Sequence, residues 1–189
     1  MSWIATPTTD RYPWYLRWVF AVRDIIGRPV SEPVRLWART PRVLAAFLRL
    51  YRAIDRAASP IEPALRSLIM VRISQINVCA FCIDLNASRA LERGIAEDRL
   101  WALESFETSD LFSEREKTAL AFAEAVTITG HTPDATLKAR LKAAFSDDAI
   151  VELAALIAFQ NMSSKFNAAL DIPAEGICRV PIADSASAG

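Results

Sequence analysis

An all-α, single-domain fold is what this sequence predicts, and three observations carry the prediction. Apolar residues recur at three- and four-residue spacing in one segment after another. Most of those segments open on a capping signature. No alternating apolar–polar run bounded by hairpin turns occurs in the sequence. At 189 residues the chain is long enough to bury a full-sized core. With 52% hydrophobic residues and five glycines, it is neither low-complexity nor broadly disordered.

The elements follow in order. Residues 1–34 read as a less regular helical arm, in which Trp14 and Trp18 stand one helical turn apart. Such a pair is expected to anchor the arm in a core or a subunit interface rather than on a membrane surface. Thr40-Pro41 offers an N-cap with proline at the first helical position, and Val43, Leu44, Phe47, Leu48, Tyr51 and Ile54 share the face behind it. Arg42, Arg49, Arg52 and Arg56 fall on the wet side of that helix. Ser59-Pro60-Ile61-Glu62 has the form of a capping box and predicts a helix through Leu65, Leu68, Ile69, Ile73 and Ile76. Asn77 is the expected N-cap of the next helix, with Cys79 in its first turn and a stop near Gly94. Ser113-Glu114-Arg115-Glu116 is another capping box, Thr132-Pro133 another capped start, and Gly130 another stop. Ser146, followed by two aspartates, opens a long apolar helix over 147–170. The domain is assigned to 35–175 and a flexible tail to 176–189, with Arg179 to Gly189 frayed. Helices 147–170 and 41–57 carry more apolar surface than one neighbour covers, which predicts a homo-oligomer, a dimer or a multiple of dimers.

The 22 basic and 22 acidic side chains cancel, which argues against a nucleic-acid binder. Residues 1–63 hold ten arginines against five acids, a bias read as a solvated face. The longest uncharged stretch, Leu153 to Ser164, is twelve residues, too short for a membrane span. The first residues lack the basic-then-apolar plan of a signal peptide, and a cytoplasmic location is expected. Three cysteines do not make a disulfide scaffold, so Cys79-Ala80-Phe81-Cys82 is read as reactive or metal-binding before structural. Cys79 at a helix start is favoured as a thiolate, and Cys82 lies one turn on, near enough for a reversible disulfide. Two other readings stay open: a pair of buried inert thiols, or half a metal site. Only Cys178 and His131 remain as further metal ligands, and His131 is expected in a surface loop beside Gly130. Neither metal nor cofactor is called for.

The stretch from Leu68 through Cys79-Ala80-Phe81-Cys82 to Leu85 resembles the core of the carboxymuconolactone decarboxylase and alkylhydroperoxidase D-like family. Phe112 to Val126 and Phe145 to Asn161 resemble it too. The resemblance implies an alkylhydroperoxidase D-like helical bundle that forms oligomers. It also implies an antioxidant thiol peroxidase or dithiol–disulfide exchanger, served by a thiol reductant or a peroxiredoxin-like partner. In the redox-active pattern a histidine stands four residues after the second cysteine, and a glutamate on the preceding helix completes a proton relay. Those positions here are Asn86 and Ser67, which hydrogen-bond but do not titrate at physiological pH. Weak thiol-dependent redox activity is therefore expected, with Cys79 and Cys82 as the reacting pair and Asn86 and Ser67 in support. A non-catalytic or ligand-binding relative and a lactone decarboxylase-type enzyme are the alternatives. The family pattern makes Cys82 the nucleophile, whereas the helix dipole alone favours Cys79.

Overall fold

A computed structural model describes residues 2–179, and among these it contains nine α-helices and no strand. They are α1 (Trp14–Ile25), α2 (Glu32–Trp37), α3 (Pro41–Ile54), α4 (Pro63–Ile76), α5 (Ala80–Glu92), α6 (Glu97–Trp101), α7 (Glu114–Thr127), α8 (Ala135–Ala144) and α9 (Asp147–Ala169). Single 3₁₀ turns occupy Thr9–Arg11 and Ala102–Ser105. Most of the expected tail, 180–189, lies outside the described residues.

α4, apolar on more than one face, sits innermost. Ten of the fourteen residues of α4 are buried, and α5, α7 and α9 pack around it. Leu68, Ile69, Val71 and Ile73 of α4 meet Leu120 and Ala123 of α7 and Leu153, Leu156 and Ile157 of α9 in the main core. A smaller cluster of Tyr12, Phe20, Val30, Ala38 and Leu44 docks the N-terminal arm on α3. Trp14 and Trp18 take no part in it: they are 79% and 67% exposed, contrary to a role as anchors within this chain. Phe20 turns inward from α1 instead, with its ring edge against Tyr12.

Several helix starts differ from the sequence reading for local reasons. The box expected at Ser59 does not form, because Glu62 precedes Pro63 and is held extended, at φ −58° and ψ 141°. The helix therefore opens at Pro63, and Ser59 hydrogen-bonds Glu152 and the Ile61 amide instead. Asp134, not Thr132, caps α8, its carboxylate accepting the Leu137 N–H at 2.7 Å. Ser113 and Ser146 cap α7 and α9 as expected, and the Ser113–Glu116 box is complete.

Four helices end in the same 6→1, 5→2 pair of backbone hydrogen bonds. After α1 and α5 the left-handed residue is glycine, Gly27 and Gly94. After α4 and α9 it is Val78, at φ 50°, and Asp171, at φ 51°. A β-branched residue pays most in that conformation, and Val78 is mostly solvent-exposed, so packing does little to offset it. Val78→Asn keeps the turn and relieves the strain. It should gain about 1 kcal/mol, roughly 2–4 °C in Tm for a domain of this size. Calorimetry showing an unchanged or lower Tm would refute the strain.

Candidate active site

The turn after α4 builds the site. The Cys79 N–H is spent on the Ser74 carbonyl (3.0 Å), which closes α4, while the Cys79 side chain opens α5 by accepting the Cys82 N–H at 3.2 Å. Asn77 is thus the C-cap of α4 rather than the N-cap of α5. Its side chain ties the turn to α9, donating to Asn161 (3.0 Å) and Ser164 (2.8 Å).

Both sulfurs are buried, Cys79 at 1% and Cys82 at 2% exposure, among Leu36, Phe81 and Ile172 with Ile4 and Phe166 around them. Both cysteines are free. The Cys82 sulfur accepts from Asn167 Nδ2 of α9 at 3.2 Å, with Cys79, Ser163 and Gln160 as its other polar neighbours. Cys79 is the strongest influence on Cys82. With the polar groups of α9 it outweighs burial and holds the Cys82 thiol below its usual range. Ionising Cys79 is opposed first by its polar contact with Cys82, and burial and the Cys82 charge add to the cost, so its thiol is pushed up. The helix start itself favours Cys79, whose sulfur accepts the Cys82 N–H, while the donors around Cys82 work the other way.

Asn86 is buried on α5 and donates to Ser74 Oγ at 3.2 Å; Gln160 donates to the same oxygen at 3.0 Å. Asn86 thus shares the Ser74 hydroxyl with Gln160, which lies near Cys82. Ser67 lies elsewhere. Its hydroxyl accepts from Arg93 at 3.0 Å, beside the Asp55–Arg66–Arg93 ion cluster. Ser67 and Ser74 are seven residues apart on α4, about 10 Å along the helix. The structure sets Asn86 and Ser67 in separate networks. His131 is exposed in the loop after α7. Cys178 is placed by its backbone: Asp84 accepts the N–H groups of Glu175 (2.9 Å), Ile177 (3.0 Å) and Cys178 (2.6 Å), strapping the chain after α9 onto α5.

Gln160, Ser163 and Asn167 are the site residues that the sequence reading missed. Their signal was present, as uncharged polar residues at three- and four-residue spacing on one stripe of an otherwise apolar helix. Among the described residues, no group of three or more His, Cys, Asp or Glu is placed to hold a metal, and no helix is long and apolar enough to cross a membrane.

The assignment of the proton fixes an expected outcome. In the reduced protein Cys82 should alkylate with iodoacetamide at an inflection below the usual thiol value of about 8.5, while Cys79 stays protected. Cys79→Ala, which removes a donor to the thiolate, should raise that inflection. Peptide mass spectrometry that finds Cys79 modified first would reverse the assignment.

The profile of the carboxymuconolactone decarboxylase family matches residues 41–125. The uncharacterized protein YnjA of Escherichia coli (strain K12) is 41% identical over 152 residues, 80% of this chain and 84% of that one. Among solved structures, a cysteine-to-alanine variant of the debrominase Bmp8 in complex with 2,3,4-tribromopyrrole superposes with a TM-score of 0.78 at 27% identity, covering 95% of this chain and 96% of that one. An uncharacterized peroxidase-related protein from Ralstonia eutropha JMP134, described as an alkylhydroperoxidase AhpD core, gives a TM-score of 0.74 at 21% identity, covering 95% and 97%. At that identity the second likeness concerns the fold.

Proposed function

The chain belongs to the carboxymuconolactone decarboxylase family, and we propose that within it this protein is a thiol–disulfide oxidoreductase that reduces hydroperoxides. Cys82 attacks and Cys79 resolves. The observation that carries this reading is the hydrogen bond from the Asn167 amide to the buried Cys82 sulfur, beside Cys79. Inert core thiols need no such donors. Turnover is slow, because Asn86, Ser74 and Gln160 pass hydrogen bonds to the site but hold no mobile proton at physiological pH.

A second reading has its own support. The surroundings of the sulfurs are apolar and aromatic, with Trp37 stacked on Phe166 at 3.8 Å between ring centroids, and the debrominase neighbour spans nearly the whole chain. Reductive removal of a halogen from an aromatic ring would use the same two cysteines.

Peroxide-dependent oxidation of dithiothreitol tests the first reading. Cys82→Ser should abolish it. Asn86→His should raise it at least ten-fold, since a positioned acid–base group contributes about 10²–10⁴-fold. Ser67→Glu should add little, because Arg93 faces that position and would pair with the new carboxylate. Activity that survives Cys82→Ser would overturn the thiol mechanism.

The same reading places the protein in a reducing compartment such as the cytoplasm, where a dithiol reductant or a peroxiredoxin-like partner recycles the pair. It also makes the protein a homo-oligomer, a dimer or a multiple of dimers. Exposed Val43 and Leu50 on α3, with Val151 and Met162 on α9, support a second copy covering those faces. Light scattering should give at least twice the 20.9 kDa of one chain, and a monomer at micromolar concentration would contradict it.

A further inference from the structure

Asn167 has a second polar atom that nothing in the chain satisfies. The residue is 3% exposed, and its backbone is fixed near the end of α9, where its carbonyl accepts the N–H groups of Leu170 (3.2 Å) and Ile172 (3.1 Å). Its Nδ2 donates to Cys82 at 3.2 Å. Its Oδ1 is buried without a partner, one of two such side-chain atoms among the described residues. Turning the amide over does not help, because it would set a carbonyl oxygen against a thiolate. A buried acceptor left unpaired beside a reactive sulfur asks for a donor that arrives from outside.

We propose that Asn167 is the substrate-orienting residue of this site, its Oδ1 accepting the O–H of an incoming hydroperoxide while its Nδ2 holds the Cys82 sulfur. The inference rests on the thiol-redox reading and specifies which oxidants the site prefers. The Cys82 thiolate attacks the hydroxyl-bearing oxygen of ROOH. The O–O bond breaks, an S–O bond forms, and the leaving alkoxide takes the proton of the adjacent Cys79 thiol to become ROH. The attacked oxygen keeps its hydrogen, so one hydrogen bond to Oδ1 serves both the hydroperoxide and the Cys82 sulfenic acid that it yields. The Cys79 thiolate then attacks the Cys82 sulfur, forming the disulfide and releasing hydroxide, which solvent protonates. A dithiol returns the pair to the reduced state. Peroxide loses its O–O bond to two electrons, and the two thiols supply them. Because the sulfurs are enclosed by Ile4, Leu36 and Ile172, small hydroperoxides are favoured over bulky ones.

The test compares two oxidants on the full chain. Hydrogen peroxide carries the donor; dithiodipyridine, a neutral disulfide, has no O–H or N–H. Rates of Cys82 oxidation by each are measured for the wild type, Asn167→Leu and Asn167→Asp, each divided by the thiolate fraction from that variant's own alkylation profile. Asn167→Leu, near-isosteric but with neither donor nor acceptor, should lose about ten-fold with peroxide and change little with the disulfide. Asn167→Asp keeps an acceptor, so its normalised preference for peroxide should stay near wild type even as its thiol pKa rises. It also serves if the leucine variant fails to fold. Equal losses with both oxidants, or none with peroxide, would overturn the orienting role. A wild type whose Cys82 reacts with neither oxidant would instead sink the thiol-redox reading itself.

Discussion

The site depends on one residue doing two backbone-level jobs. Cys79 closes α4 with its N–H and opens α5 with its sulfur, so the two helices reverse direction across Asn77 and Val78 with no slack. That economy fixes where Cys82 falls, one turn into α5 and facing the sulfur that caps it. It also explains a valine held in the left-handed region. A longer or more relaxed turn would let α5 rotate and carry Cys82 away from α9. The two non-glycine turns, at Val78 and Asp171, follow α4, whose end sets Cys79 in place, and α9, which carries the Asn167 donor. The glycine turns close helices at ends away from the cysteines.

Around that turn the protein replaces titrating groups with neutral amides and hydroxyls. Asn167, Gln160 and Ser163 lower the energy of a buried thiolate as well as a cation would in kind, though not in strength, because each presents a donor with no desolvated charge of its own. They have no proton to exchange at physiological pH. Among the side chains that most influence Cys82, only the Cys79 thiol carries a titratable proton. Stabilising a thiolate and moving protons are therefore separate properties here, and α9 contributes only to the first.

The cover over the sulfurs belongs to the chain ends. Glu175, Ile177 and Cys178 hang on the single carboxylate of Asp84, Glu175 in turn accepts the Glu32 N–H at α2, and the Trp3 indole donates to the Ala169 carbonyl. Ile172 and Ile4 are thereby pressed against the cysteine pair. Polar clips, rather than a deep hydrophobic seam, hold this cover, in contrast to the continuous apolar packing of α4 against α7 and α9. The reactive sulfurs thus lie between the most rigid part of the fold and its most lightly fastened segments.

By itself the sequence determined the fold class, the helices of the core and the cysteine pair, because those signals are local. Helical periodicity, the Ser113 and Ser146 caps and a Cys-x-x-Cys spacing are properties of a few adjacent residues. Tertiary structure decided which sulfur faces the polar side chains of α9. The dipole of α5 acts on Cys79, whereas the donor to Cys82 comes from α9, 85 residues away in the case of Asn167. It likewise decided that Asn86 answers to Ser74 while Ser67 answers to Arg93, since contact between facing helices depends on their register and not on spacing along one of them. The exposure of Trp14 and Trp18 belongs to the same class: which face of an amphipathic helix is buried is set by the surface it meets, here the Tyr12–Phe20 cluster.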